Sequence, residues 1–258
     1  MRKRQYAPVG PVAVLADLAQ RGEFGDYHLL LAHAVLMDPP AWRHLVATYR
    51  PDFVIMDNSL IELGESLPGT AILEAASIVQ ADAIVLPDKL LDMEATLEMA
   101  VRAYEELPRH GGVPDLMAVV QGESLPEVYQ CAEWLVREIN PAYLAIPRCL
   151  TDEVASRTVL ARELYRRYQR PIHLLGFSHD VFDDVRAARC VGVMGIDSAM
   201  PIWYGNLGYD LPVSPLGDMR EQIVPMRRPS DYWQHTHVSE QAYQNVRRVR
   251  SWLRNLEL

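Results

Sequence analysis

Phe53-Val54-Ile55-Met56-Asp57 is four apolar residues in a row closed by a carboxylate. It shows none of the apolar–polar alternation of a strand with one wet face. It reads as a strand covered on both sides, the kind found in parallel sheets. The same design recurs along the chain. Ala83–Leu86 leads through Pro87 to Asp88, Leu116–Val120 to Gln121-Gly122, and Gly192–Ile196 to Asp197. Further apolar runs stand at Tyr27–Leu31, Tyr143–Ile146 and Ile172–Leu175. Successive runs begin about twenty to thirty-three residues apart, roughly the length of one strand-helix-strand unit.

Helical patterns fill the intervals. Ser124-Leu-Pro-Glu127 is a capping box that predicts a helix to about Glu138. Asp92 is placed to cap a helix bearing Leu97, Val101 and Tyr104. Thr151 is placed to cap one bearing Val154, Leu164 and Tyr168, and Ser178 a short one bearing Val181 and Val185. Ile72, Ala76 and Val79 mark another helix, and Ser239 opens a closing helix through Tyr243, Val246, Val249 and Leu253. Seven strands alternating with helices predict an α/β protein, a (β/α)8 barrel formed by residues 1–258 as one domain. The eighth strand is expected between Trp203 and about Pro225. The rival, a doubly wound open sheet, would carry a G-x-G-x-x-G turn after an early strand, and the chain has none.

The 258 residues are 49% hydrophobic and 23% charged, an ordinary globular balance. No apolar run reaches membrane-spanning length, and no secretory leader follows the basic start, so a cytoplasmic protein is expected. Cys131, Cys149 and Cys190 are scattered and read as reduced thiols. His28, His33, His44, His173, His179, His235 and His237 compose no ligand set; His235-Thr-His237 has metal-like spacing but no carboxylate or cysteine beside it. No metal or cofactor is expected. The net charge of −9 argues against a general nucleic-acid coat. Three arginine clusters still allow a local phosphate contact: Arg162, Arg166, Arg167 and Arg170; Arg227 and Arg228; and Arg247, Arg248, Arg250 and Arg254.

In a barrel, the residues that end the strands converge on the face where active sites sit. Asp57, Asp88 and Asp197 would then share one small pocket with Gln121 and Gly122. Three carboxylates so placed repel one another and separate in pKa, which suits one to nucleophilic attack and another to proton transfer. Plainer roles stay open. A strand-end aspartate can cap a helix or bind a loop amide, Lys89 can pair with Asp88, and Gln121 can satisfy backbone groups.

At these same places the chain resembles the tRNA-guanine transglycosylase family. Ile55-Met56-Asp57-Asn58-Ser59 is similar to that family's Asp-Ser-Gly-Gly segment, and Val85-Leu-Pro-Asp88 to its base-reading segment. Val119-Val-Gln121-Gly122 matches its Val-Gln-Gly, Leu174-Leu-Gly176 resembles its Leu-Met-Gly, and Gly195-Ile-Asp197-Ser-Ala-Met-Pro201 resembles its Asp-Cys-Val-Leu-Pro. The matches run in the family's order from about residue 50 to 201. The resemblance implies Asp197 as nucleophile at the anomeric carbon and Asp57 as proton carrier. It implies Asp88, Gln121, Gly122, Gly176, Phe177 and Ser59 as substrate-binding residues, with arginines at the rim on phosphates.

Departures shift the substrate. Ile146-Pro-Arg148-Cys149 stands where the family has Gly-Gly-Leu, Ile61 replaces the base-stacking aromatic (with Phe177 the substitute), and the zinc motif after the nucleophile is missing. The tRNA enzymes are longer. This compact chain looks more like a phage-encoded branch that puts 7-deazaguanine bases into DNA. The implied partners are therefore DNA before tRNA, and a free 7-deazaguanine base. The rivals are exchange on tRNA, a non-catalytic nucleic-acid-binding barrel, and an unrelated barrel lyase acting on a phosphorylated metabolite.

Overall fold

The computed structural model describes residues 5–50, 52–108, 112–212 and 232–255. Eight strands follow in chain order: β1 (Tyr6–Pro8), β2 (His28–Leu31), β3 (Val54–Asp57), β4 (Ala83–Val85), β5 (Asp115–Val119), β6 (Tyr143–Pro147), β7 (Ile172–Leu175) and β8 (Val193–Ser198). The early connections hold α1 (Val12–Gln20), α2 (Ala32–Met37), α3 (Pro39–Tyr49), α4 (Leu60–Leu63), α5 (Gly69–Val79) and α6 (Met93–Glu106). The later ones hold α7 (Leu125–Glu138), α8 (Cys149–Glu153), α9 (Arg157–Tyr168) and α10 (Val181–Ala188), and α11 (Met200–Asn206) and α12 (Glu240–Asn255) follow β8. All ladders are parallel, in the order β1-β8-β7-β6-β5-β4-β3-β2. This is a nearly closed (β/α)8 barrel.

The strand expected between Trp203 and Pro225 lies instead at the start of the chain. Trp203 is inside α11 and residues 207–212 form no strand, while 213–225 lie outside the described residues. β1 fills the eighth place by pairing with β8, Ala7 beside Asp197. Three residues, one of them proline, are too short an apolar run to stand out by pattern. Across the remaining seam Asp26 takes the place of a ladder. Its N–H donates to Tyr6 O at 2.9 Å, and its Oδ2 accepts from Tyr6 N at 3.2 Å. Gly25 makes this approach possible. At φ +106° it sits where a side chain is strained, and a Cβ would lie 2.5 Å from Pro8 Cδ.

Period-two alternation sorts each strand into two layers. Tyr27, Leu29, Leu31, Phe53, Ile55, Ala83, Val85, Met117, Val119 and Ala145 fill the barrel. Leu30, Val54, Met56, Ile84, Ala118, Leu144, Ile146 and Leu174 pack outward with the helices. In β8 the alternation breaks. Ile172 pairs with Val193 but His173 pairs with Gly195, so Met194 is an extra, bulged residue. Val193 and Ile196 belong to the outer layer and Met194 to the inner one. An unbroken strand would put Val193 and Asp197 on the same side. The bulge lets Val193 pack outward while Asp197 points into the barrel mouth.

Several helix starts are as expected. Asp92 caps α6 by accepting from Ala95 N at 3.0 Å, and Ser239 accepts from Ala242 N at 3.0 Å ahead of α12. Ser124 caps α7, while Glu127 reaches back to Glu123 N at 2.8 Å. Two caps differ. Thr151 lies inside α8, and α9 starts afresh after Ser156; its first turn is held by Asp183 of α10, which accepts from Ser156 Oγ at 2.7 Å and Thr158 N at 3.3 Å. Ser178 gives its hydroxyl to Asp184 at 2.9 Å, so Asp180 caps α10 by accepting from Asp183 N at 3.0 Å. Among the described residues no helix is long and apolar enough to cross a membrane.

Candidate active site

Asp57 ends β3 in the inward phase of Phe53 and Ile55. Its Oδ2 accepts from Ser59 N at 2.8 Å. That turn holds Ser59 in the left-handed region at φ 64°, fully buried, with its Oγ accepting from His33 N at 3.1 Å. Ser59 thus shapes the turn and turns no hydroxyl toward solvent. The Asp57 carboxyl is pushed well above the usual carboxylate range, first by burial and then by the charge of Glu62. The Ser59 amide opposes the rise, and the charges of Asp197 and Asp88 add to it. The carboxylates from β3, β8 and the loop after β4 therefore feel one another at one end of the barrel.

Asp88 lies past Pro87 and is 3% exposed. Asn58 Nδ2 donates to its Oδ1 at 2.6 Å and Gln121 Nε2 to its Oδ2 at 2.6 Å. Both amides are locked in that orientation, because Asn58 Oδ1 accepts from Leu60 N at 3.1 Å and Gln121 Oε1 from Leu91 N at 2.9 Å. Burial still raises the Asp88 carboxyl to about 6, against the pull of Gln121 and Asn58. Gln121 is fully buried and faces Asp88. Lys89 is exposed, and the partners of the Asp88 carboxyl are the two amides. Gly122 is needed where it stands, since a Cβ there would lie 2.7 Å from Glu127 Cβ and 2.9 Å from Val128 N.

Asp197 is 7% exposed. Its Oδ1 is held twice, by His173 Nε2 at 3.0 Å and by Gly176 N at 3.3 Å. Among the described residues Oδ2 takes no hydrogen bond. Behind His173, the Tyr27 hydroxyl lies 3.3 Å from Nδ1. Gly176, left-handed at φ +69°, is itself held from below. The buried Arg157 donates to the carbonyls of Gly176 at 2.5 Å, Leu175 at 2.6 Å and Ile146 at 2.6 Å, and pairs with Asp184 at 2.9 Å. Asp184 also accepts from Ser178 N at 2.6 Å. The ends of β6 and β7 are thereby tied together beneath Asp197.

No protein-family model and no curated protein matches the chain. What the arrangement can do follows from its own groups: a carboxylate anchored through one oxygen, with the other taking no hydrogen bond among the described residues, a second carboxyl raised by burial and like charge, and a third fixed by two amides. The positions singled out in the sequence mostly come together here, with one exception. Phe177 is 4% exposed and packs with the outer core, its ring centroid 6.5 Å from Tyr6, so it has no open face for a base to stack on. Ile61, on α4, is 48% exposed. Four residues went unmarked as parts of a site in the sequence: Tyr27, Asn58, His173 and Arg157. A histidine inside an apolar strand and an arginine at a helix start carry no spacing signal.

Arginines of two of the clusters lie away from the mouth. Arg166, Arg167 and Arg170 lie at the end of α9, just before β7 begins, hence at the opposite end of the barrel from Asp197. Arg166 pairs there with Glu163 at 2.8 Å. Arg250 and Arg254 bind Asp26, in the loop entering β2, at 3.1 and 2.8 Å. Arg227 and Arg228 lie outside the described residues. At the mouth stands Arg148, exposed, directly after β6, its Cδ 3.5 Å from where a Cβ on Gly176 would be. His235 Nδ1 is 3.0 Å from Asn206 Nδ2. Among the described residues no group of three or more His, Cys, Asp or Glu is placed to hold a metal. A groove of about 480 Å³ between α6 and α7, lined by Leu97, Val101 and Trp134, lies on the outer wall, away from the carboxylates.

Proposed function

We propose that this protein is a base-exchange transglycosylase that replaces guanine in DNA with a 7-deazaguanine derivative. One observation carries the reading: Asp197 is anchored through Oδ1 while Oδ2 takes no hydrogen bond among the described residues, in the same field as the raised carboxyl of Asp57. Oδ2 attacks the anomeric carbon as the bond to guanine breaks through an oxocarbenium-like state, leaving a glycosyl ester. Asp57, protonated, gives its proton to the departing guanine. As a carboxylate it then takes the proton from the ring nitrogen of the incoming base, which attacks the same carbon and releases Asp197. Asp88, aimed by Asn58 and Gln121, accepts from the amide and amine edge of the base. The target nucleotide must be flipped out or single-stranded to reach these groups. Arg148 is the guanidinium that would meet a backbone phosphate, and the reaction is a cytoplasmic one.

The test is an exchange assay that offers labelled guanine and several 7-deazaguanines against duplex DNA and tRNA, with denaturing gels to trap the ester. Wild-type protein should exchange base into DNA and carry covalent oligonucleotide, and Asp197→Asn should do neither while remaining folded. Exchange into tRNA alone moves the substrate to tRNA. Binding without exchange leaves a non-catalytic nucleic-acid-binding barrel. Unchanged exchange by Asp197→Asn removes that residue from the reaction.

A further inference from the structure

Inside the barrel, below the candidate nucleophile, Tyr27, His173 and Asp197 form a line of contacts. Tyr27 and His173 are both fully buried. The Tyr27 hydroxyl is 3.3 Å from His173 Nδ1, the rings meet at 87°, and His173 Nε2 is 3.0 Å from Asp197 Oδ1. A neutral imidazole has one N–H to place, and the bond made by one nitrogen decides the role of the other. For Nε2 to donate to a carboxylate, Nδ1 must be bare, and a bare Nδ1 needs a donor. The Tyr27 O–H is such a donor.

We propose that Tyr27 sets the tautomer of His173, and that His173 thereby acts as a positioning residue that holds Asp197 by one oxygen and presents the other. Without the Nε2–H, Oδ1 would keep, among the described residues, only the longer bond from Gly176 N at 3.3 Å, and the carboxylate could turn about its side-chain bonds. The consequence for rate rests on the base-exchange reading; the tautomer does not.

Two measurements test this on the full-length protein. Nitrogen-15 spectra of labelled histidine, with the His173 signals identified by their loss in His173→Gln, should show Nε2–H in the wild type and a loss of that tautomer in Tyr27→Phe. An Nδ1–H tautomer in the wild type, or no change in Tyr27→Phe, overturns the proposal. In exchange kinetics, glutamine puts its amide nitrogen near the place of Nε2, whereas asparagine puts it near that of Nδ1. His173→Gln should keep kcat close to wild type, and His173→Asn should lose about 100-fold in kcat with KM little changed. Equal rates for folded Gln and Asn variants would mean that the ring serves only to fill space. If wild-type protein exchanges no base, the functional reading fails by itself, and the spectra alone decide the role of Tyr27.

Discussion

Replacing Arg157 with methionine keeps an unbranched apolar stem but deletes four donated hydrogen bonds from the interior. Asp184 loses its cation at 2.9 Å, and the carbonyls of Ile146, Leu175 and Gly176 lose donors at 2.5–2.6 Å. Asp184 would keep Ser178 N and Oγ at 2.6 and 2.9 Å, so its charge is only partly stranded. Removing one partner of a buried ion pair costs roughly 3–5 kcal/mol. We expect a loss of about 4 kcal/mol in urea denaturation at pH 7, or about 10 °C in Tm for a chain of this size. A second substitution, Asp184→Leu in the same chain, should restore at least half of it, because no charge is then left buried without its partner. The pH dependence has a definite sign. Burial raises the Asp184 carboxyl against the pull of Arg157. Without Arg157 it rises further, and a carboxyl with a raised folded pKa is penalised as pH increases, so the deficit of Arg157→Met should shrink from pH 7 to pH 5. A loss below about 1 kcal/mol would refute the claim that this guanidinium holds the ends of β6 and β7.

Asp88, with a folded value of about 6 against 3.8 unbound, favours the native state below about pH 4 and loses that contribution as pH climbs through 6. The wild-type stability curve should therefore fall by about 2 kcal/mol more than that of Asp88→Asn between pH 4 and pH 7, read from urea midpoints; parallel curves would contradict it. Arg148→Ala should weaken DNA binding about equally across sequences and reduce the salt slope by about one, whereas removing Arg166 at the far end of the barrel should change neither. Gly25→Ala places a Cβ 2.5 Å from Pro8 Cδ at φ +106° and should destabilise by about 2 kcal/mol or more; a neutral result in thermal unfolding would mean that the seam is looser than drawn.

The apolar runs that end in Asp57, Gln121 and Asp197 could be found from sequence because strands buried on both faces write long hydrophobic stretches, and a polar residue at their end stands out. β1 could not, since Tyr6-Ala7-Pro8 is held by its neighbours rather than by its own pattern. The bulge at Met194 was hidden for a related reason: a single extra residue changes which side chains face inward without changing composition. Arg157 reads as one more basic residue beside the exposed arginines of α9 and becomes a clamp only when three carbonyls close around it. Phe177 shows the converse, an aromatic residue beside the site whose ring faces the outer core.

The meeting of β1 with β8 has a bearing on how the chain is made. The Tyr6 hydroxyl donates to Ser198 O at 2.9 Å across 192 positions of sequence, beside the register that pairs Ala7 with Asp197. A ribosome delivers the first strand long before its neighbour exists, and pairings this distant are slow to form. A nascent chain halted before residue 192 already holds Asp57 and Asp88 but has neither Asp197 nor the strand that receives β1. Closure of the barrel and arrival of the last of the three carboxylates are thus one event, and no shorter nascent chain can assemble the set.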